Sequence, residues 1–187
     1  MKYSIIFLEY DPERKLVDMT TRSLKSIIIN SEGEDFELLH IRDGGSYIEA
    51  SNRGLKLAKG DYIISVSNDV VIMDRDWLKK YTVDGLSGFR FTPFHITGEM
   101  RPDFAVWGID RKSFERVGLM DEAYSKGCGY EDDDYIFMAK KAGVPLVNTE
   151  AKIVHLENQT FSKLFSEKRI EMMERNKLIF KTKWNLK

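Results

Sequence analysis

The sequence predicts one α/β domain, with a central, mostly parallel mixed sheet flanked by helices. Three observations carry this expectation. Short apolar runs of strand length alternate with segments of helical periodicity over roughly the first seventy residues. Acidic residues fall where those strands end. The 187 residues, 42% of them hydrophobic, are enough for one core, and no Pro/Gly/Ser-rich linker divides them.

Tyr3–Leu8 is an apolar run long enough for a buried strand, and Tyr10-Asp11-Pro12 ends it. Val17, Thr20, Leu24, Ile27 and Ile28 recur at helical spacing and predict an amphipathic helix returning across the sheet. Phe36–Ile41 reads as the second strand, closed by the turn Asp43-Gly44-Gly45. Ser46 and Glu49 have capping-box spacing for a helix through about Ala58, which Gly60 ends. Tyr62–Val66 supplies a third strand, stopping at Asn68-Asp69, and a further helix is predicted around Asp76–Tyr81. This alternation describes a doubly wound opening. Ligands of such sheets bind beyond the carboxyl ends of the strands, where this chain carries Glu9, Asp43 and Asp69.

The second half is less regular. Gly88–Phe94 and Phe104–Ile109 are strand candidates, followed by a helical turn near Lys112–Val117. Glu131-Asp132-Asp133-Asp134 opens a helix closed by Gly143 and Pro145, and its first acids suit the positive end of the helix dipole. Lys152–His155 reads as a short strand. Phe161, Leu164, Phe165 and Met172 predict a last amphipathic helix.

A net charge of −1 and a pI near 6.3 argue against a basic nucleic-acid coat. The charge is unevenly placed. From Arg175 to Lys187 there are five basic residues and no acidic ones, interleaved with Phe180 and Trp184, whereas Asp121 to Asp134 carries six acids against Lys126. Different partners are expected for these two segments. Cys128 is the only cysteine, which excludes an intramolecular disulfide and a cysteine zinc cluster. No run approaches the ~18 apolar residues of a membrane span, and no basic leader precedes an apolar run, so a soluble, cytoplasmic protein is expected.

In order and spacing, these motifs resemble the family-2 glycosyltransferases of GT-A fold along nearly the whole chain. Ser4-Ile5-Ile6-Phe7-Leu8-Glu9-Tyr10-Asp11 is similar to the family's opening strand, with Leu8-Glu9 where Pro-Thr is usual. Arg42-Asp43-Gly44-Gly45 is similar to its Asp-Asp-Gly-Ser turn. Asn52-Arg53-Gly54 and Ala58-Lys59-Gly60-Asp61-Tyr62-Ile63 are similar to the stretch before the metal motif, onto which Ser67-Asn68-Asp69 falls with two of the usual acids replaced. Arg111 through Phe114, Val117 through Glu122, Gly129 through Asp134 and Ala142-Gly143 continue the order. The resemblance implies a single GT-A-like (Rossmann-like) domain over 1–187, with a nucleotide-sugar-binding half (1–69), an acceptor and catalytic half (70–160), and a C-terminal helix with a basic tail (161–187).

It also implies chemistry: inverting transfer of a sugar from a UDP-sugar donor to an acceptor hydroxyl. Asp69 is the implied metal ligand and His155 the second, for Mn²⁺ or Mg²⁺. Such hard cations favour oxygen donors, and a magnesium site often takes only one or two carboxylates together with phosphates and water. On the donor, Asp43 would meet the uracil, Glu9 the ribose and Tyr10 the base, while Asn68 meets hydroxyls or only caps the turn. Asp132 is the implied general base. Glu131 and Asp134, three apart, share a helix side and orient acceptor hydroxyls or stay solvated. Trp107 is a sugar-stacking platform or a core residue. The acceptor is a glycan or another hydroxyl compound. A hydroxymethylpyrimidine in DNA is a further candidate, motivated by the basic aromatic tail. Two other readings remain: a sugar-1-phosphate nucleotidyltransferase, disfavoured by the acidic Glu9-Tyr10-Asp11-Pro12 loop, and a catalytically silent nucleotide-sugar or glycan-binding module.

Overall fold

Strand β1 (Tyr3–Glu9) lies between β2 (Phe36–Arg42) and β3 (Tyr62–Ser67) and pairs with both in parallel. Parallel neighbours need crossovers, which α1 (Val17–Asn30) and α2 (Tyr47–Leu57) supply. The computed structural model describes residues 1–11, 14–42, 45–94, 98–126, 128–156 and 169–186. Its main sheet has six strands in the order β2-β1-β3-β8-β5-β9. Strand β8 (Val106–Asp110) runs antiparallel to both β3 and β5 (Leu86–Gly88), and β9 (Leu146–Asn148) is parallel to β5. Two small sheets complete the described strands: β4 (Val70–Ile72) with β10 (Ile153–His155), and β6 (Phe91–Pro93) with β7 (Met100–Pro102). The remaining α-helices among the described residues are α3 (Trp77–Lys80), α4 (Arg111–Val117), α5 (Glu131–Lys141) and α6 (Arg169–Lys183).

Both faces of β1 are covered, which is why it reads as a continuous apolar run rather than an alternating one. Ile6 and Leu8 enter a core with Leu55 of α2, Trp107 of β8 and Ile136 of α5. Ile5 and Phe7 enter the opposite core with Ile27 of α1 and Trp77 of α3. Helix α2 lies so close to the sheet that a Cβ at Gly54 would stand 2.3 Å from Ile6 Cγ2. Its capping box forms as predicted, between Ser46 and Glu49. Helix α1 lacks such a cap. Instead Asp11, 4% exposed, accepts from the Lys15 N–H at 2.8 Å and the Leu16 N–H at 2.7 Å, fixing the chain as it enters the helix.

Departures from expectation concentrate in the second half. Strands β4, β7 and β9 are three residues each, too short for a period to show. The predicted strand Gly88–Phe94 is divided between β5 and β6: Phe89 turns into the core, and Arg90 Nε pairs with Asp103 Oδ2 at 2.8 Å. Of the residues predicting the last helix, Phe161, Leu164 and Phe165 lie outside the described residues, while Met172 lies on α6.

Helix α6 corrects the expectation that the basic and acidic segments meet different partners. They meet each other. Lys183 Nζ lies 2.7 Å from Asp121 Oδ2 and 2.8 Å from Asp134 Oδ2, and Arg175 Nη2 donates to the Ala123 carbonyl at 3.1 Å. Phe180 is fully buried against Phe94, Tyr130 and Phe137, and Trp184 packs on Phe137. The tail's aromatic groups are therefore committed to the core. Burial alone would push the Asp121 carboxyl up, but the Lys183 ammonium and the Ala123 N–H hold it below its ordinary value. The stability it lends is complete above about pH 4 and is lost as pH falls through that lower folded value. Among the described residues, no helix is long and apolar enough to cross a membrane.

Truncating the buried ring that anchors α6 tests this packing: Phe180→Ala is expected to cost about 3–5 kcal/mol in urea unfolding at neutral pH.

Candidate active site

The parallel register of β1, β2 and β3 sets Glu9 opposite Arg42 and Leu8 opposite Ser67, so the three carboxyl ends form one edge. Glu9 is already engaged there. Its carboxylate accepts from Arg42 Nε at 2.9 Å and Arg42 Nη2 at 3.2 Å, and lies 2.5 Å from His40 Nε2. Burial raises the Glu9 pKa, but these two partners outweigh it and leave the carboxyl below its ordinary range. A ribose hydroxyl at Glu9 would have to share or displace them. Tyr10 follows, half-buried, and Asp43 lies outside the described residues.

Beyond β3 the chain turns through Asn68 and Asp69 into β4. Asn68 is 3% exposed and its amide donates to Thr20 Oγ1 of α1 at 3.0 Å, so that end of the side chain ties the turn to a helix. Asp69 is the turn's polar tip. Antiparallel pairing of β10 with β4 brings His155 opposite Val70, and the Asp69 carbonyl accepts from the Leu156 N–H at 2.8 Å. His155 Nε2 consequently stands 3.4 Å from Asp69 Oδ1. Burial disfavours a charged ring here, but Asp69 beside it and Asp103 beyond raise the His155 pKa above its ordinary value. Its buried Nδ1 has no hydrogen-bond partner among the described residues.

The donor types at this pair, one nitrogen and one carboxylate oxygen, fit a divalent cation. Their 3.4 Å separation exceeds an ordinary N–H···O bond, and the two atoms would serve as ligands to one shared cation. Among the described residues no group of three or more His, Cys, Asp or Glu side chains converges as a metal cage. A cation held by this pair alone would need its other ligands from phosphate and water.

Asp132 lies on the first turn of α5, with its side chain 24% exposed and its Oδ2 3.4 Å from Arg101 Nη1. Arg101, from β7, also brings Nε to 2.6 Å from Asp133 Oδ1, an ion pair whose angle falls outside hydrogen-bond range. Asp133 is 3% exposed, and burial, followed by the Asp132 charge, drives its carboxyl well above the ordinary range against the pull of Arg101. Glu131 is half-buried as a residue, yet its Oε2 is buried without a partner among the described residues. Burial and Asp132 raise it too. Proton affinity is thus unusually high on both sides of Asp132.

Residues 103–107 run past both β3 and Tyr47. The Asp103 charge acts on His155, and the Ala105 carbonyl accepts from the Ser67 N–H at 2.9 Å. The Phe104 carbonyl lies 3.5 Å from the Tyr47 hydroxyl, which also accepts from Trp107 Nε1 at 3.1 Å. The phenol of this half-buried residue has a raised pKa, chiefly through desolvation and then through Asp132. This segment thus meets His155 through the Asp103 charge and Tyr47 through Phe104 and Trp107, and Tyr47 in turn feels the Asp132 charge.

Two of the expected acceptor contacts have other work. Trp107 is fully buried, stacked on Phe104 at 4.9 Å and tilted against Tyr135 at 5.4 Å, and is a core residue rather than a sugar platform. Asp134 is 1% exposed and accepts from Tyr124, Lys183 and Trp184, so it is neither solvated nor turned to an acceptor. Sequence reasoning missed Tyr47, Arg101 and Asp103. Arg101 and Asp103 flank Pro102 in a stretch with no readable period, and only tertiary contact gives them significance. A separate open groove of about 570 Å³ on the outer side of α1 is lined by Arg22, Lys25, Ile29 and Val71 among others and includes none of the candidate residues.

The fold as a whole is similar to that of solved glycosyltransferases. The catalytic domain of Drosophila β1,4-galactosyltransferase 7, in complex with xylobiose, superposes with a TM-score of 0.65 over 85% of this chain and 72% of its own, at 16% identity. The fold is GT-A. Staphylococcus aureus TarS 1-349 in complex with UDP-GlcNAc matches this GT-A domain with a TM-score of 0.63 at 14% identity, over 89% of this chain and 62% of that one. A Pyrobaculum calidifontis mannosyltransferase in complex with GDP-Man and Mn²⁺ matches with a TM-score of 0.60 at 13% identity, over 79% of this chain and 54% of that one. No protein-family model and no curated protein sequence matches the chain.

A carboxyl whose pKa is raised in the fold contributes most stability below its unfolded value, near pH 4, and loses it as pH rises through the folded value. Glu131→Gln is accordingly expected to melt progressively higher than the wild type as pH rises from about 4 past neutrality, by about 2–4 °C for each kcal/mol relieved. Melting curves across pH measure the difference.

Proposed function

We propose that the chain is an inverting glycosyltransferase that moves a sugar from a nucleoside-diphosphate donor, UDP-linked, to an acceptor hydroxyl. The observation that carries this reading is the 3.4 Å approach of His155 Nε2 to Asp69 Oδ1 beyond the carboxyl end of β3, and a partly exposed Asp132 paired with Arg101 supports it. The GT-A fold supports it, as do similar folds solved with UDP-GlcNAc and with GDP-Man and Mn²⁺.

Asp69 and His155 would hold a divalent cation, Mn²⁺ or Mg²⁺, which when bound offsets the negative charge gathering on a departing diphosphate. The protein's own residues do the rest. Asp132 accepts the acceptor hydroxyl's proton as that oxygen bonds to the anomeric carbon. The bond from that carbon to the phosphate oxygen breaks on the opposite face, and the diphosphate leaves with the electron pair. One displacement inverts the anomeric centre. Arg101 keeps the Asp132 carboxylate oriented. Glu9, Tyr10 and Asp43, at or beyond the strand ends, are the donor-side contacts, and Asn68 supports the turn that carries Asp69. Glu131 borders the acceptor side. The acceptor class is a glycan or a comparable hydroxyl compound. A DNA acceptor lost its motive when the basic tail's aromatic residues proved to be packed inward.

Thermal stabilisation by UDP-glucose, UDP-galactose, UDP-GlcNAc and GDP-mannose, with Mn²⁺ or with EDTA, tests the donor. A hundredfold excess over Kd should add about 2.7 kcal/mol, and both EDTA and Asp69→Ala should remove it. Asp132→Asn is expected to keep that shift while kcat falls ~10²–10⁴-fold. Donor binding with no turnover on any acceptor in the wild type would instead assign a silent binding module.

A further inference from the structure

We propose that α6 belongs to the catalytic apparatus: Asn176 and Trp184 are positioning residues that hold the first turn of α5, and with it Asp132, from both ends. This inference rests on the role of Asp132 given above.

A helix N-terminus is ordinarily fixed by a capping side chain. Helix α5 has none. Its N-cap position, Tyr130, makes no side-chain cap and has a φ of 69°, directly after Gly129 at 75°. Gly129 takes the left-handed conformation freely, but Tyr130 carries a side chain there, so the conformation that leads into the turn presenting Asp132 has to be held by the surrounding structure.

Helix α6 imposes it on the upstream side. Asn176 is fully buried, and its Nδ2 donates to the Gly129 carbonyl at 3.0 Å and the Tyr124 carbonyl at 3.2 Å. Its Oδ1 accepts from Arg175 Nη1 at 3.0 Å, so both ends of the amide are used and its orientation is set. The Tyr130 ring rests 5.7 Å from Phe180 of the same helix.

On the downstream side the tie is Asp134. Its Oδ1 accepts from Trp184 Nε1 at 2.7 Å and the Tyr124 hydroxyl at 3.1 Å, and its Oδ2 from Lys183 Nζ at 2.8 Å. Docking α6 does not require this polar set, because a buried ion pair generally stabilises no better than apolar groups of similar volume. What directed bonds add is register. Apolar faces tolerate sliding and rotation, whereas a carboxylate with three donors fixes α5 about and along its axis. Asp132 lies between two points, 129 and 134, that are both fastened to α6. A proton acceptor must be held to within about half an ångström, so this double fastening has a catalytic consequence.

The test uses the full chain with Asn176→Ala and with Trp184→Phe, which keeps a ring against Phe137 and loses the indole donor. Each is made alone and on Asp132→Asn. Transfer is measured per folded molecule well below melting, donor affinity by calorimetry, and amide hydrogen exchange across 129–134. Expected are a roughly 10–100-fold loss of kcat, donor Kd within about twofold of wild type, faster exchange at 129–134 with β1–β3 unchanged, and no further loss on Asp132→Asn. Wild-type kcat in Trp184→Phe, or a loss that adds in full to that of Asp132→Asn, would overturn the positioning role. Unchanged protection at 129–134 would overturn the clamp whatever the activity. A wild type that transfers no sugar would sink the transferase reading, a result distinct from variants that leave turnover intact.

Discussion

The candidate site depends on β1 being paired in the same direction with both of its neighbours and buried on both faces. Parallel pairing obliges the chain to return over the sheet between strands, so α1 and α2 cover its faces and all three carboxyl ends emerge at one edge. A strand with no solvent-facing side has no place for charge along its length. Polar chemistry is displaced to the ends, where Glu9, Arg42 and the Asn68-Asp69 turn stand.

Around that edge the antiparallel additions matter most. Pairing of β8 with β3 returns residues 103–107 along the site, and pairing of β10 with β4 brings His155 to Asp69 from far along the chain. The neighbours Asp133 and Asp134 show how differently buried charge can be answered. Asp134 receives three donors, two of them from the C-terminal segment, whereas Asp133 has a close but poorly angled ion pair and a raised proton affinity. One carboxylate fastens the helix, and the other keeps the surroundings of Asp132 electrostatically taut.

Local signals were legible wherever a single element carried them. The apolar run of β1, the Ser46–Glu49 capping box and the acids opening α5 each predicted their element to within a residue or two. Strands β4, β7 and β9 were not legible, because three residues carry no period and are strands only through their partners. Trp107 shows the same limit for a side chain. An indole on a strand suits a platform or a core equally well, and Phe104, Tyr135 and the Tyr47 hydroxyl close around this one. Helical spacing put Glu131 and Asp134 on one side of α5 but could not show that α6 would cover Asp134.

By itself the sequence determined the fold class, the strands whose ends form the site, and the residue types available there for proton transfer and cation binding. Those follow from periodicity and chemistry along the chain, which are local. Family resemblance, not periodicity, implied that His155 shares a site with Asp69; the tertiary structure alone decided that Arg101 meets Asp132 and that a basic segment closes on an acidic one instead of reaching outward. Such pairings depend on which distant surfaces are brought together when water is excluded, and no stretch of sequence contains both partners of any of them.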